Sequence, residues 1–236
     1  MKNQYFGDIN DYLKYGLVRQ LTGRGEIPSS VCWMLTPDDG SRDGASIDYL
    51  KDPPAWREHD PELYDQLRYL VFVERARNVN ALATTAILPN CRFHTEILTE
   101  DPEARTRYFE TFAEVARGSE LVFFDPDNGL EVKSISYGRK DSSKYLFWRE
   151  VEMFFGNGHS VLVYQHIPRV KRAPYLRKLL RGMASHTTAR TVYAFESSRV
   201  LFLLAVQNGH RRRFRKASGA VQKAWGDRFK VESVSS

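Results

Sequence analysis

An apolar run at 120–124 (ELVFF) leads directly into Asp125-Pro126-Asp127-Asn128-Gly129. A carboxylate that leaves an apolar strand is partly desolvated, so Asp125 or Asp127 can serve as a general base on water or stabilise a developing cation. Asn128 can orient a water or read the edge of a base, and Gly129 permits close backbone approach. The same five residues are also good turn formers. A second run, SVLVY at 160–164, ends in Gln165-His166, where His166 can donate a proton to a leaving base or a phosphate. A third, SVCWML at 30–35, ends in Thr36-Pro37-Asp38-Asp39-Gly40. Asp125, Asp127, Asn128 and His166 are therefore the candidate catalytic residues. Asp38, Asp39, Lys144, Tyr145 and Gln165 are candidate substrate contacts. Near the start, Asp8 or Asn10 reads as a helix cap.

These groups need a scaffold that brings strand ends together. Apolar positions at helical spacing predict helices over 11–21, 61–76, 102–116, around 145–155 and over about 173–184. Buried strands are expected at 30–35, 91–97, 120–124 and 160–164, and an antiparallel hairpin at 191–195 and 200–206. A last helix is expected around 219–225. Strands alternating with helices indicate an α/β fold, a Rossmann-like three-layer sandwich with a mostly parallel sheet and a C-terminal antiparallel hairpin. In such sheets ligands bind beyond the carboxyl ends of the strands, where all three polar loops fall. The expected organisation is one catalytic domain over 1–236, with a polar excursion at 41–60 and a basic tail at 208–236.

Charge is divided unevenly. The chain has 236 residues and a net charge of +6. Residues 165–236 hold 16 Lys and Arg against three acids, a local +13, and the remainder carries −7. A basic third of this kind is the footprint of a polyanion-binding face. Lys133, Arg139, Lys140, Arg169, Lys171, Arg172, Arg211, Arg212 and Arg213 are the candidate phosphate contacts.

Other chemistries find no pattern. P-loop, dinucleotide fingerprint and nucleophile-elbow motifs are missing, and the six histidines and two cysteines lack zinc spacing. A carboxylate-held Mg²⁺ on Asp38, Asp39, Asp125 and Asp127 would suit a nuclease, but no metal is expected. Cys32 and Cys91 are expected as reduced thiols. No apolar run is long enough for a membrane helix, no signal peptide is evident, and a cytoplasmic protein is expected.

Two family resemblances bear on the reaction. Gly7-Asp8-Ile9-Asn10-Asp11-Tyr12-Leu13-Lys14-Tyr15 is similar to the G-N-x-A-D-V-L-K-H stretch of bacterial large-subunit rRNA adenine-N6 methyltransferases, with Lys14 on the motif lysine. Leu121–Asn128 sits where that family carries its D-P-P-Y loop. This resemblance implies a Rossmann-like S-adenosylmethionine (SAM) fold, with SAM as cofactor. The loop after the first strand departs from that family's D-x-H-A-G-x-G, and Asp127-Asn128 replaces the second proline and the aromatic.

Separately, Asp125-Pro126-Asp127-Asn128-Gly129-Leu130 with Phe147-Trp148 resembles the strand-end loop of uracil/thymine-DNA glycosylases. The chain also resembles, in its general likeness, bacterial antiphage DNA glycosylases that excise modified cytosines. These resemblances imply base flipping and hydrolysis of the N-glycosidic bond of a modified DNA base, with no cofactor. The expected function is a DNA N-glycosylase. A SAM-dependent nucleic-acid methyltransferase is the alternative, and a non-catalytic nucleic-acid-binding protein the second.

Overall fold

The computed structural model describes residues 1–40 and 44–235. Strands β1 (Ser29–Cys32), β2 (Cys91–His94), β3 (Leu121–Phe124), β6 (Ser160–His166), β7 (Thr191–Glu196), β8 (Val200–Val206) and β9 (Lys230–Ser235) form one sheet in the order β2-β1-β3-β6-β8-β7-β9. A separate two-stranded ribbon pairs β4 (Gly129–Leu130) with β5 (Tyr145–Leu146). The helices are α1 (Ile9–Leu21), α2 (Pro53–Trp56), α3 (Pro61–Phe72), α4 (Pro102–Ala116), α5 (Trp148–Gly156), α6 (Arg172–Thr187) and α7 (Arg211–Trp225).

The sheet is mixed. β2, β1, β3 and β6 run parallel, whereas β6–β8, β8–β7 and β7–β9 pair antiparallel. The expected α/β fold with a large sheet is observed, its parallel part running from β2 to β6, and several antiparallel strands complete it. One of these, β9, had no counterpart in the sequence reading. Its sequence, KVESVS, has little apolar content, but it completes the edge by pairing with β7 from Thr191↔Ser235 to Glu196↔Lys230.

Alternation along each strand divides the core in two. Leu121 and Phe123 join one cluster with α1, α3 and α7, including Leu17, Leu67 and Trp225. Val122 and Phe124 join the other with α4, α5 and α6, including Phe112, Phe154 and Leu180. Both faces of the sheet are covered by helices, which is why its central strands read as unbroken apolar runs.

Several boundaries differ from the sequence expectation. β1 ends at Cys32 because Met34 takes a left-handed conformation (φ 47°). Helix α5 begins at Trp148, since Tyr145 and Leu146 pair with β4 instead. Helix α7 begins at Arg211, not near 219. Phe214, Ser218, Val221 and Trp225 form its buried stripe, and the five basic residues Arg211, Arg212, Arg213, Arg215 and Lys216 are exposed. Of the expected excursion at 41–60, residues 41–43 lie outside the described residues. The rest contains two helical turns, and Tyr49 and Leu50 are buried in the core. Among the described residues, no helix is long and apolar enough to cross a membrane.

Candidate functional site

Helix α1 starts beneath the carboxyl ends of β3 and β6. Asp8 caps it, accepting from the backbone N–H groups of Asn10 (2.8 Å) and Asp11 (3.0 Å). Helical spacing then places Asp11 and Lys14 on the side facing β3. Lys14 Nζ donates to Asp11 Oδ1 at 2.8 Å and to Asp125 Oδ2 at 2.5 Å. Asp11 Oδ2 accepts from Tyr15 Oη at 2.8 Å and from the Gly7 N–H at 3.0 Å. The Lys14 ammonium also lies 5.4 Å from the centre of the Tyr164 ring. Lys14, Asp11 and Asp125 are each no more than 3% exposed.

The loop after β3 is held rigidly. Asp125 N–H donates to Cys32 O at 3.0 Å. Gln165 Oε1 accepts from Leu130 N–H (2.9 Å), and its Nε2 donates to Asn128 O (3.0 Å) and to Tyr175 Oη (2.9 Å). Gln165 therefore clamps the loop, with its amide fully engaged. Gly129 makes the clamp possible: it has φ +113°, and a Cβ there would lie 2.3 Å from Gln165 Nε2. Asp127 is the less buried acid. Its Oδ2 accepts from Thr36 Oγ1 at 3.0 Å, and its Oδ1 ion-pairs with the Met1 amine at 2.5 Å.

Burial and mutual charge set the protonation states. Burial disfavours the Lys14 ammonium, but the charges of Asp11 and Asp125 outweigh it and raise its pKa. Burial raises Asp125, while Lys14 and the N-terminal amine pull against it. Asp8 is lifted to about 7, by burial first and then by the charge of Asp11. A carboxyl group balanced near neutrality beside an ion-paired carboxylate is a pairing suited to acid–base work. Burial likewise raises Tyr164 and Tyr15, keeping both phenols protonated.

Asp8, Asp11, Lys14, Asp125, Asp127 and Tyr164 line a cavity of about 40 Å³, with Tyr5 and Asn10 as partly exposed members of the wall. Asn10 Oδ1 is buried and has no hydrogen-bond partner. Asp8, Asn10, Asp11 and Lys14 were not among the sequence candidates. Their signal was the i, i+3 spacing of charged residues from position 8 on a helix otherwise rich in apolar residues.

The remaining candidates disperse. Asp38 and Asp39 are exposed: Asp38 accepts from Gln4 N–H, and Asp39 pairs with Lys2. His166 is exposed, and its backbone N–H donates to Asn128 O at 3.2 Å. Lys144 pairs with Asp141 at 2.7 Å, and the Tyr145 carbonyl accepts from Arg105. Lys133, Arg139, Lys140, Arg169, Lys171 and Arg172 are exposed on segments following β3 and β6, at the same end of the sheet as Asp125. Arg172 pairs with Glu196 at 3.2 Å. Arg211, Arg212 and Arg213 lie at the opposite end. Arg213 pairs with Glu120, which precedes β3, whereas Asp125 follows it.

Cys32 and Cys91 are free thiols; Cys32 is buried, Cys91 only partly so, and burial pushes both pKa values up to about 12. Among the described residues, no group of three or more His, Cys, Asp or Glu is arranged to hold a metal ion.

No protein-family model matches the chain, and no curated protein sequence does. Among solved structures, a crystal structure of a Legionella pneumophila str. Philadelphia 1 protein of the family model DUF519 is similar at 12% identity and a TM-score of 0.37, covering 98% of this chain and 97% of that one.

Proposed function

We propose that this chain is a base-acting hydrolase of nucleic acids, a DNA N-glycosylase that removes a modified base. The observation that carries this reading is the Asp8–Asp125 pair facing one small cavity. Asp8 sits near neutrality, and Asp125 is anchored by a buried ammonium. A cavity of about 40 Å³ has room for one water, whose share of liquid volume is about 30 Å³. In the proposed reaction the water oxygen bonds to the sugar carbon as the glycosidic C–N bond breaks. The electron pair leaves with the base, and ionised Asp8 takes the water proton. Asp125, paired with the Lys14 ammonium, faces the positive charge that develops on the sugar and stabilises it. Asn10 Oδ1 offers an acceptor to the substrate. The exposed cations after β3 and β6 supply phosphate contacts at the same end of the sheet. A role in antiphage defence would follow from the resemblance to glycosylases of that class.

A second reading, a Rossmann-like SAM-dependent methyltransferase, draws on two observations. Lys14 of the N-terminal stretch meets Asp125 of the strand-end loop, and β8 runs antiparallel between β6 and β7. The residues present do not fit SAM. Two acids, Asp38 and Asp39, stand on the loop after the first strand, where its carboxylate would be received.

The test is to incubate the protein with DNA carrying modified bases, then treat it with alkali. Strand breaks formed without SAM or metal support the glycosylase. Intact strands on every modified DNA, together with tight SAM binding by calorimetry, favour the second reading.

A further inference from the structure

The N-terminal end of the sheet, opposite Asp125, carries its own cavity. It measures about 570 Å³ and is lined by Thr191, Tyr193, Arg211, Arg212, Arg215 and Ser235, with Asn208 and Gly209 at the turn before α7. Among the described residues its walls contain no acid.

Three observations make this a place that needs an anion. Helix α7 runs for 15 residues, yet its first turn holds Arg211, Arg212 and Arg213 with no acidic residue, and His210 provides no side-chain cap. Cations at the positive end of a helix dipole are unfavourable without a counter-charge. Arg213 has one in Glu120, whereas Arg211, Arg212 and Arg215 make no ion pair or hydrogen bond among the described residues. Thr191 is 5% exposed, and its buried hydroxyl has no hydrogen-bond partner among the described residues, which native interiors seldom tolerate. Burial raises the Tyr193 hydroxyl and the charges of Arg215 and Arg211 oppose it, so both guanidinium groups lie within electrostatic reach of that hydroxyl.

We propose that this cavity is a phosphate-binding site, in which Arg211, Arg212 and Arg215 and the hydroxyls of Thr191 and Tyr193, at the positive end of α7, receive one phosphate group. Guanidinium forks match phosphate oxygens two at a time, and the helix dipole adds to the attraction. The site is at the opposite end of the sheet from Lys14 and Asp125, and the proposal does not depend on the reaction assigned there. The phosphate is that of a small nucleotide or of a nucleic-acid backbone.

Calorimetry with inorganic phosphate, adenosine monophosphate and a short oligothymidylate tests it. The wild-type protein is expected to bind phosphate. Arg211→Gln/Arg215→Gln, on exposed positions, should weaken binding about tenfold or more, as the loss of two charge-assisted contacts implies. Thr191→Val, of nearly equal volume, should weaken it by a smaller factor. Displacement of phosphate by the oligothymidylate identifies the backbone as the source, and displacement by the mononucleotide alone identifies a small ligand. Failure of all three probes to bind, or unchanged binding by the double arginine variant, overturns the proposal.

Discussion

The ammonium of Lys14 lies 2.5 Å from the carboxylate of Asp125, and 111 residues of chain separate them. Both groups are out of water, so the Lys14 ammonium depends on Asp125 and Asp11 for its charge, while the Asp125 carboxylate is opposed by Asp11 and supported by Lys14 and the N-terminal amine. The contact ties the first turns of α1 to the end of β3 and fixes the geometry of the proposed catalytic carboxylates.

Lys14→Met should destabilise the fold by about 3–5 kcal/mol, because it leaves Asp11 and Asp125 buried without a cation. Urea denaturation measures this. Lys14→Met/Asp125→Asn should recover part of the loss, since fewer unpaired charges remain. If the double variant is less stable by the sum of the two single changes, the groups do not act as a pair.

Asp8 gives a pH dependence with a defined sign. Its carboxyl has an ordinary value of 3.8 and is raised to about 7 in the fold. Between those values the folded state binds more protons than the unfolded state, so the contribution of Asp8 to stability falls as pH rises. Asp8→Asn keeps a good cap and should flatten the stability profile between pH 4 and 7, with its relative gain above pH 7. Thermal melts across that range check this. An unchanged slope would show that Asp8 titrates normally.

Gly129→Ala should displace the Asp125–Leu130 loop. The new Cβ would overlap the Gln165 amide in a backbone conformation with φ +113°. A loss on the order of 1–3 kcal/mol is expected from such backbone strain. A crystal structure or hydrogen exchange at Leu130 N–H, which now donates to Gln165, reads the outcome.

The sequence made some of this visible and hid the rest for physical reasons. Leu121–Phe124 was legible as a strand because it is buried on both faces and has no polar interruption. Asp125 was legible as a desolvated carboxylate in need of a partner, because it leaves an apolar strand. That partner was not legible. Lys14 enters the sequence reading only as the motif lysine of a family resemblance, and its pairing with Asp11 and burial depend on a residue far along the chain. Gln165 was expected to hold substrate; it is spent on the loop, because the Gly129 conformation brings the backbone against its amide. The start of α7 was hidden by its arginines, whose charges obscure the stripe Phe214, Ser218, Val221 and Trp225. The position of those arginines at the far end of the sheet follows from topology alone.

Asp127→Asn should weaken the loop's tie to Thr36 and to the chain's first residue. On modified DNA its activity should fall strongly while its circular dichroism stays that of the wild type. Full activity in this variant would remove Asp127 from the site.

The most direct measurement is single-turnover release of a modified base from DNA, followed by alkaline cleavage, for the wild type, Asp8→Asn and Asp125→Asn. The wild-type rate should rise with pH through about 7, as Asp8 ionises. Asp8→Asn should lose that inflection, and Asp125→Asn should slow release by about 10²–10³-fold, the scale of removing one preorganised electrostatic group. Base release that is equally fast in all three proteins, or no release by the wild type from any modified DNA, would contradict the assignment of this site.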